Sequence, residues 1–251
     1  MENMGEVEKF ADSESFKICV SVMEETVEKS LKFVKDVHDK VYSKNVPHMY
    51  EFRLDYLNKS ELSIENIEKI LKCDCEKIIT VRWDWEGGKW NNEKESVLGS
   101  LGILKRAIDF NVEYIDIEHK NLERVKEELK NYRDTKGSTT KIIVSYHDFM
   151  KTDAFSVIRG IIEEEYKYGD IAKIATAICQ NRENCNILRA CSWYKPKIIA
   201  IGMGELGKIT RVHGPQFGSM ITFCTVSKEK ASAPGQLHID DLVEIWERFY
   251  R

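Results

Sequence analysis

Short β-branched runs alternate with longer amphipathic stretches along nearly the whole chain. The runs are FKICVSV (16–22), MYEFRLD (49–55), KIITVRW (77–83), EYIDIE (113–118), KIIVSYH (141–147), DIAKIAT (170–176), KIIAIGM (197–203) and SMITFCT (219–225). Each has the length and composition of a strand. Between them Val27, Leu31, Val34, Val37 and Val41 recur at three- and four-residue spacing, as do Ile64, Ile67, Ile70 and Leu71. Val97, Leu101, Leu104 and Ile108 repeat the pattern, and Leu242, Ile245, Trp246 and Phe249 close the chain with it. Each set draws one apolar stripe on a helix.

Strand-plus-helix alternation requires parallel strands joined by right-handed crossovers. Eight such units in 251 residues predict an α/β protein, a single-domain (β/α)8 TIM barrel over 16–251, with residues 1–15 as a loosely ordered extension. The strands are apolar on both faces, as in a parallel sheet covered by helices. A doubly wound open sheet is the alternative, but the first strand–helix junction, SVMEET (21–26), has no glycine-rich phosphate loop.

Composition narrows the function. With 38 basic and 42 acidic residues the net charge is −4, which argues against nucleic-acid and membrane-surface partners. No apolar run approaches the roughly 18 residues of a membrane span. The acidic first 15 residues lack a signal-peptide core, and seven scattered cysteines do not suit a secreted disulfide framework. A soluble, cytoplasmic protein is the expectation.

In such a barrel the active site lies at the C-terminal ends of the strands. The sequence places Ser21, Glu51, Arg53, Asp55, Arg82, Glu118, His119, His147 and Met203 there, with Lys173 inside the sixth strand. Arg211 follows the seventh strand, and Ser232 with Gln236 follows the eighth. Lys173 interrupts an otherwise apolar run, where a charge is costly unless partnered. Glu51 or Glu118 would make it a plain ion pair. Alternatively it is an imine-forming amine, which attacks a carbonyl in its neutral form; desolvation and the cations Arg53 and Arg82 would favour that form. His147, on the neighbouring strand, supplies a group that titrates near neutrality, as proton abstraction beside an imine requires. Arg53, Arg82 and Arg211 together suit an anionic or polyhydroxylated ligand, although Arg53 alone reads as an ion pair with Asp55 or Glu51. The residues by themselves leave a lysine-imine aldolase and a non-catalytic sensor of an anionic metabolite open.

The segments EFRLD (51–55), VRWDWEGG (81–88), SYHDF (145–149), DIAKIA (170–175), GMGELGKITR (202–211), FGSMITF (217–223) and SAPGQL (232–237) resemble type I 3-dehydroquinate dehydratase. SYHDF, the strand-embedded lysine and SAPGQ are specific in that order; the aldolase reading leaves SYHDF and SAPGQ unexplained, and the sensor reading does not account for Lys173 beside His147. The resemblance implies a cofactor-free and metal-free barrel, a homodimer, that converts 3-dehydroquinate to 3-dehydroshikimate by syn loss of water. It implies Lys173 as the Schiff-base lysine, His147 as general acid and base, and Glu86 as the acid that orients His147. Arg211, Ser232 and Gln236 match residues that grip the substrate carboxylate and a neighbouring hydroxyl. Ser21, Glu51, Arg53 and Arg82 match contacts to the remaining hydroxyls and ring, and Met203 remains from a methionine pair whose other member is here Ile201. Thr210 stands where the family usually has serine.

Weaker signals remain. Cys73 and Cys75 form a CxC pair, and Cys179, Cys185 and Cys191 recur at six-residue spacing, without the second pair or histidines of a metal site; packing thiols are expected. Trp83, Trp85 and Trp90 predict a structural loop at the rim. Pro234–Gly235 predicts a turn, in a 224–236 loop able to close over a ligand.

Overall fold

The computed structural model describes residues 16–44, 46–91, 99–227 and 231–249. Its strands are β1 (Lys17–Val22), β2 (His48–Arg53), β3 (Lys77–Thr80), β4 (Tyr114–Glu118), β5 (Lys141–Asp148), β6 (Ile171–Ala177), β7 (Ile198–Met203) and β8 (Ile221–Thr225). All pair in parallel in chain order from β1 to β7, and β1 also pairs with β8. An Ile198–Ser219 bridge and a 2.9 Å bond from Met220 N–H to the Ile198 carbonyl bring β8 against β7, so the sheet closes. A two-residue strand, β9 (Leu237–His238), lies beside β8.

The helices are α1 (Val27–Tyr42), α2 (Ile64–Leu71), α3 (Gly99–Asp109), α4 (Glu123–Lys136), α5 (Phe155–Glu165), α6 (Asn184–Tyr194), α7 (Lys208–Phe217) and α8 (Ile239–Phe249). Thr26 and Ser63 cap α1 and α2, their hydroxyls accepting from Lys29 N–H and Asn66 N–H at 3.2 Å, which satisfies donors that a helix start leaves open. The eight expected strand–helix units are thus present. β3 ends earlier than the 77–83 run because the chain turns there into a tight loop. Val97 and the 1–15 extension lie outside the described residues.

Alternation along the strands separates two interiors. Outward positions such as Ile18, Phe52, Ile79, Ile115 and Val144 pack under the helices. Inward positions Cys19, Met49, Ile78, Tyr114, Ile143, Ile171, Ile199 and Ile221 plug the bottom of the barrel. Two residues further along β1 to β6 the same face carries Ser21, Glu51, Thr80, Asp116, Ser145 and Lys173. These polar groups rest on the apolar plug and bond to one another. Ser21 and Thr80 donate to Glu51 at 2.8 and 3.1 Å, and Ser145 donates to Asp116 at 2.7 Å.

Candidate active site

Lys173 joins the two halves of that polar layer. Its Nζ donates to Asp116 Oδ2 at 3.0 Å, stands 3.7 Å from Glu51 Oε1, and sits 4.6 Å from the Phe223 ring centre. The sequence named Glu51 as a partner but not Asp116. Glu118, the other acid it named, instead accepts from Trp83 N–H at 2.9 Å and from Asn121 at 2.7 Å. The charges in contact with Lys173 are therefore carboxylates, as in the ion-pair alternative of the sequence, while Arg53 and Arg82 are themselves paired with acids. Burial works against the Asp116 charge, but Arg82 and Lys173 outweigh it and hold the carboxyl well below the usual carboxylate range.

One step nearer the mouth lie Arg53, Arg82, His147 and Met203, and the loop after β3 brings in Glu86. Trp90 N–H donates to the Arg82 carbonyl at 3.0 Å and Asp84 N–H to the Trp90 carbonyl at 2.9 Å. A side chain at position 88 would put its Cβ 2.0 Å from the Arg82 oxygen, so only glycine lets the loop return this closely. Trp90 is fully buried and Trp83 stacks on Trp85 at 4.2 Å, which makes the tryptophan loop structural, as expected. It aims Glu86 inward, where Oε2 meets His147 Nδ1 at 2.8 Å.

That contact has a clear electrostatic asymmetry. Burial pushes the Glu86 carboxyl up to about 8, against the pull of Arg82 at 3.6 Å. Burial, followed by the cations Arg82 and Lys173, pushes His147 well below its ordinary value. Neutral forms are favoured on both sides of the hydrogen bond.

The three arginines differ. Arg53 makes a bidentate pair with Asp55 at 2.9 and 2.8 Å, the ion pair its sequence context allowed. Arg82 faces Asp116 at 2.7 Å, Glu118 at 3.5 Å and Glu86 at 3.6 Å. Arg211, on the first turns of α7, is equally buried but faces no carboxylate within ion-pair distance among the described residues. It reaches only the Phe223 and Pro234 carbonyls, at 3.5 and 3.4 Å, and its Nε has no partner. Burial lowers it to about 10. One cation at the mouth thus stands ready for an external anion.

Ser232 faces Arg211's side of the pocket from the loop after β8. The expected Pro234–Gly235 turn is present, and it docks on the end of β7: Gly204 N–H donates to the Pro234 carbonyl at 3.1 Å. Gln236 holds the loop from behind, its Oε1 accepting from Ser232 N–H at 2.7 Å and its Nε2 donating to the Cys224 carbonyl at 3.2 Å. Ser232 Oγ lies 3.1 Å from Ser21 Oγ, whose own hydrogen goes to Glu51. Residues 228–230 of the expected 224–236 loop lie outside the described residues.

Lys173, His147, Glu86, Glu51, Arg53, Arg82, Met203, Arg211 and Ser232 all line one pocket of about 580 Å³, counting its space open to solvent. Ser21 and Gln236 sit behind Ser232 and do not line it. His119, counted at the mouth from its place in the sequence, belongs elsewhere. Glu118 takes the inward position, so His119 turns outward, edge-on to Tyr146 and 3.7 Å from Glu165. Ile201, the other member of the Met203 pair, lines the pocket as well, while the walls Phe149, Ala175 and Phe223 went unnamed as site residues in the sequence, since apolar residues there look like any core. Asp116 had a readable signal: like Lys173, it is a charge inside an apolar strand. Among the described residues no group of three or more His, Cys, Asp or Glu is arranged to hold a metal ion.

Comparison with known proteins agrees with this geometry. The family model for type I 3-dehydroquinase matches residues 18–250. The 3-dehydroquinate dehydratase of Methanocaldococcus jannaschii is 45% identical over 229 residues, spanning 91% of this chain and 97% of that protein. The enzyme of the same name from Aquifex aeolicus is 34% identical over 203 residues, 80% of this chain and 87% of that protein. A crystal structure of type I 3-dehydroquinate dehydratase from Clostridium difficile with covalently modified comenic acid superposes with a TM-score of 0.80. It has 25% identity and covers 95% of this chain and 93% of that one.

Proposed function

The chain belongs to the type I 3-dehydroquinase family and is a hydro-lyase that dehydrates 3-dehydroquinate, and from that premise we propose that it works through a Schiff base on Lys173 with His147 as general acid and base. The observation that carries this reading is the grouping of an inward lysine and a strand-end imidazole in one pocket with a buried guanidinium that faces no anion among the described residues.

The substrate carboxylate pairs with Arg211, with Ser232 beside it, and fixes the ring against the strand ends. Lys173 Nζ adds to the C3 ketone, and loss of water gives an iminium. The positive charge stays on the nitrogen, where Asp116 and Glu51 already face it. The iminium draws electrons from the adjacent C2–H bond, and His147 Nε2 takes that proton to leave a neutral enamine. The enamine electrons then expel the C1 hydroxyl, which leaves as water with the proton His147 took. One imidazole performs both transfers because the proton and hydroxyl depart from the same face. Water hydrolyses the conjugated iminium, releasing 3-dehydroshikimate and the amine.

Glu86 orients His147 through Nδ1, which leaves Nε2 for the pocket. Gln236 acts through Ser232, whose position it fixes. His147→Ala tests the division of labour. With 3-dehydroquinate it should accumulate a covalent adduct on Lys173, seen as a mass increase of the intact protein, and release almost no product. Normal turnover, or loss of adduct formation itself, would overturn the role given to the histidine.

A further inference from the structure

Cys73 and Cys75 flank Asp74 in the turn between α2 and β3, at the end of the barrel opposite the mouth. Cys75 N–H donates to the Cys73 carbonyl at 2.9 Å, a three-residue turn that puts both side chains on one side. The Cys75 thiol then donates to the Cys73 sulfur at 3.7 Å. Both residues are half-buried against the edge of the helix–strand core. The remaining cysteines lack this arrangement: Cys19, Cys191 and Cys224 are buried, and Cys179 and Cys185 are exposed.

The surroundings favour a reactive sulfur. The hydrogen bond from Cys75 draws the Cys73 thiol down to about 7 against the effect of burial, with Lys77 assisting. The same bond and burial push Cys75 up. Tyr50 carries a buried hydroxyl with no hydrogen-bond partner and feels the charge of both thiols. A partly exposed thiolate near neutrality, next to a second thiol, is the arrangement of an attacking and a resolving cysteine.

We propose that Cys73 and Cys75 form a dithiol redox site, separate from the barrel mouth, that closes to an intrachain disulfide by exchange with a small-molecule disulfide. The Cys73 thiolate attacks one sulfur of the disulfide, whose S–S bond breaks to release one thiolate. Cys75, giving its proton to that thiolate, attacks the Cys73 sulfur and expels the second thiolate. Two protein sulfurs are oxidised, and one external disulfide is reduced to two thiols. Closure brings the two sulfurs from 3.7 Å to about 2.05 Å.

The full-length protein is exposed to oxidised glutathione, alkylated and digested with trypsin. Cleavage after Lys72 and Lys77 isolates CDCEK (73–77), which carries both thiols and no others. The expected result is this peptide unalkylated and lighter by two hydrogens, restored to the alkylatable dithiol by dithiothreitol. In Cys75→Ser the reaction should stop at a glutathione adduct on Cys73, and in Cys73→Ser glutathione uptake at Cys75 should slow about tenfold or more. A wild-type peptide that stays doubly alkylated while Cys179 and Cys185 react, or that retains glutathione without closing, would overturn the proposal.

Discussion

Lys173 Nζ and Asp116 Oδ2 meet at 3.0 Å, while the other oxygen of Asp116 takes Arg82 and Ser145 at 2.7 Å each. This carboxylate therefore faces the nitrogen on which the proposed chemistry places the iminium charge. Asp116→Asn removes that compensation from the iminium. The expected outcome is a kcat lower by about 10²-fold with KM little changed, together with a loss of about 3 kcal/mol of stability from breaking a buried pair. Steady-state kinetics and urea unfolding measure both, and an unchanged kcat would contradict the role of Asp116.

Arg211 separates function from stability. Among the described residues its buried guanidinium faces no anion, so removing it relieves the free protein of an uncompensated charge. Arg211→Met should unfold at the wild-type temperature or above it in the absence of ligand. It should also raise the substrate KM by about 30-fold or more, because a buried charge pair with the carboxylate contributes roughly 2–5 kcal/mol. Unfolding scans with and without substrate check this, and unchanged KM would point to another anchor.

The Glu86–His147 contact sets a pH dependence. With Glu86 at about 8 and His147 well below its ordinary value, at neutral pH the shared proton sits on Glu86, whose O–H donates to Nδ1. The hydrogen of the neutral imidazole then lies on Nε2. Ionisation of Glu86 reverses this: Nδ1–H donates to the carboxylate, and Nε2 presents a lone pair. The base form accumulates as pH rises through about 8, so kcat/KM should climb from roughly pH 6 to pH 9. Glu86→Gln should abolish the ascending limb. A flat wild-type profile, or a limb kept by the variant, would refute the assignment.

Behind β6, Glu165 is fully buried, and among the described residues neither its carboxyl oxygens nor His119 Nδ1, 3.7 Å away, has a hydrogen-bond partner. Burial raises the Glu165 carboxyl well above its ordinary value. The folded state then holds a proton that the unfolded chain releases above about pH 4.3, so stability falls as pH rises toward the folded value. Glu165→Gln removes the titration and offers an amide N–H to His119. Its melting temperature should exceed the wild type at pH 8 and match it near pH 4, and a variant less stable at pH 8 would contradict this.

Much of the fold was legible because short β-branched runs alternate with longer stretches of helical periodicity, and the eight runs lie within two or three residues of the eight strands. Lys173, His147 and Arg211 were legible as polar groups at or near strand ends. Asp116 carries the same signal as Lys173, a charge within an apolar strand, but lies short of the strand end where the site was expected. The difference between Arg211 and its two neutralised counterparts was hidden. It depends on which carboxylates face each guanidinium across the barrel, and Asp55, Glu86 and Asp116 come from three separate segments. Gln236 lies where the motif puts it, yet only the loop's path shows that its amide is bonded to Ser232 and Cys224. His119 was misplaced for a local reason, since one step along a strand reverses the face.

The central claim is a covalent bond between Lys173 and the substrate ketone, and borohydride reduction during turnover tests it most directly. Intact protein treated with 3-dehydroquinate and borohydride should gain the mass of a reduced adduct, peptide mapping should place it on Lys173, and Lys173→Met should gain nothing. A catalytically active protein with no adduct, or an adduct on another lysine, would contradict the account.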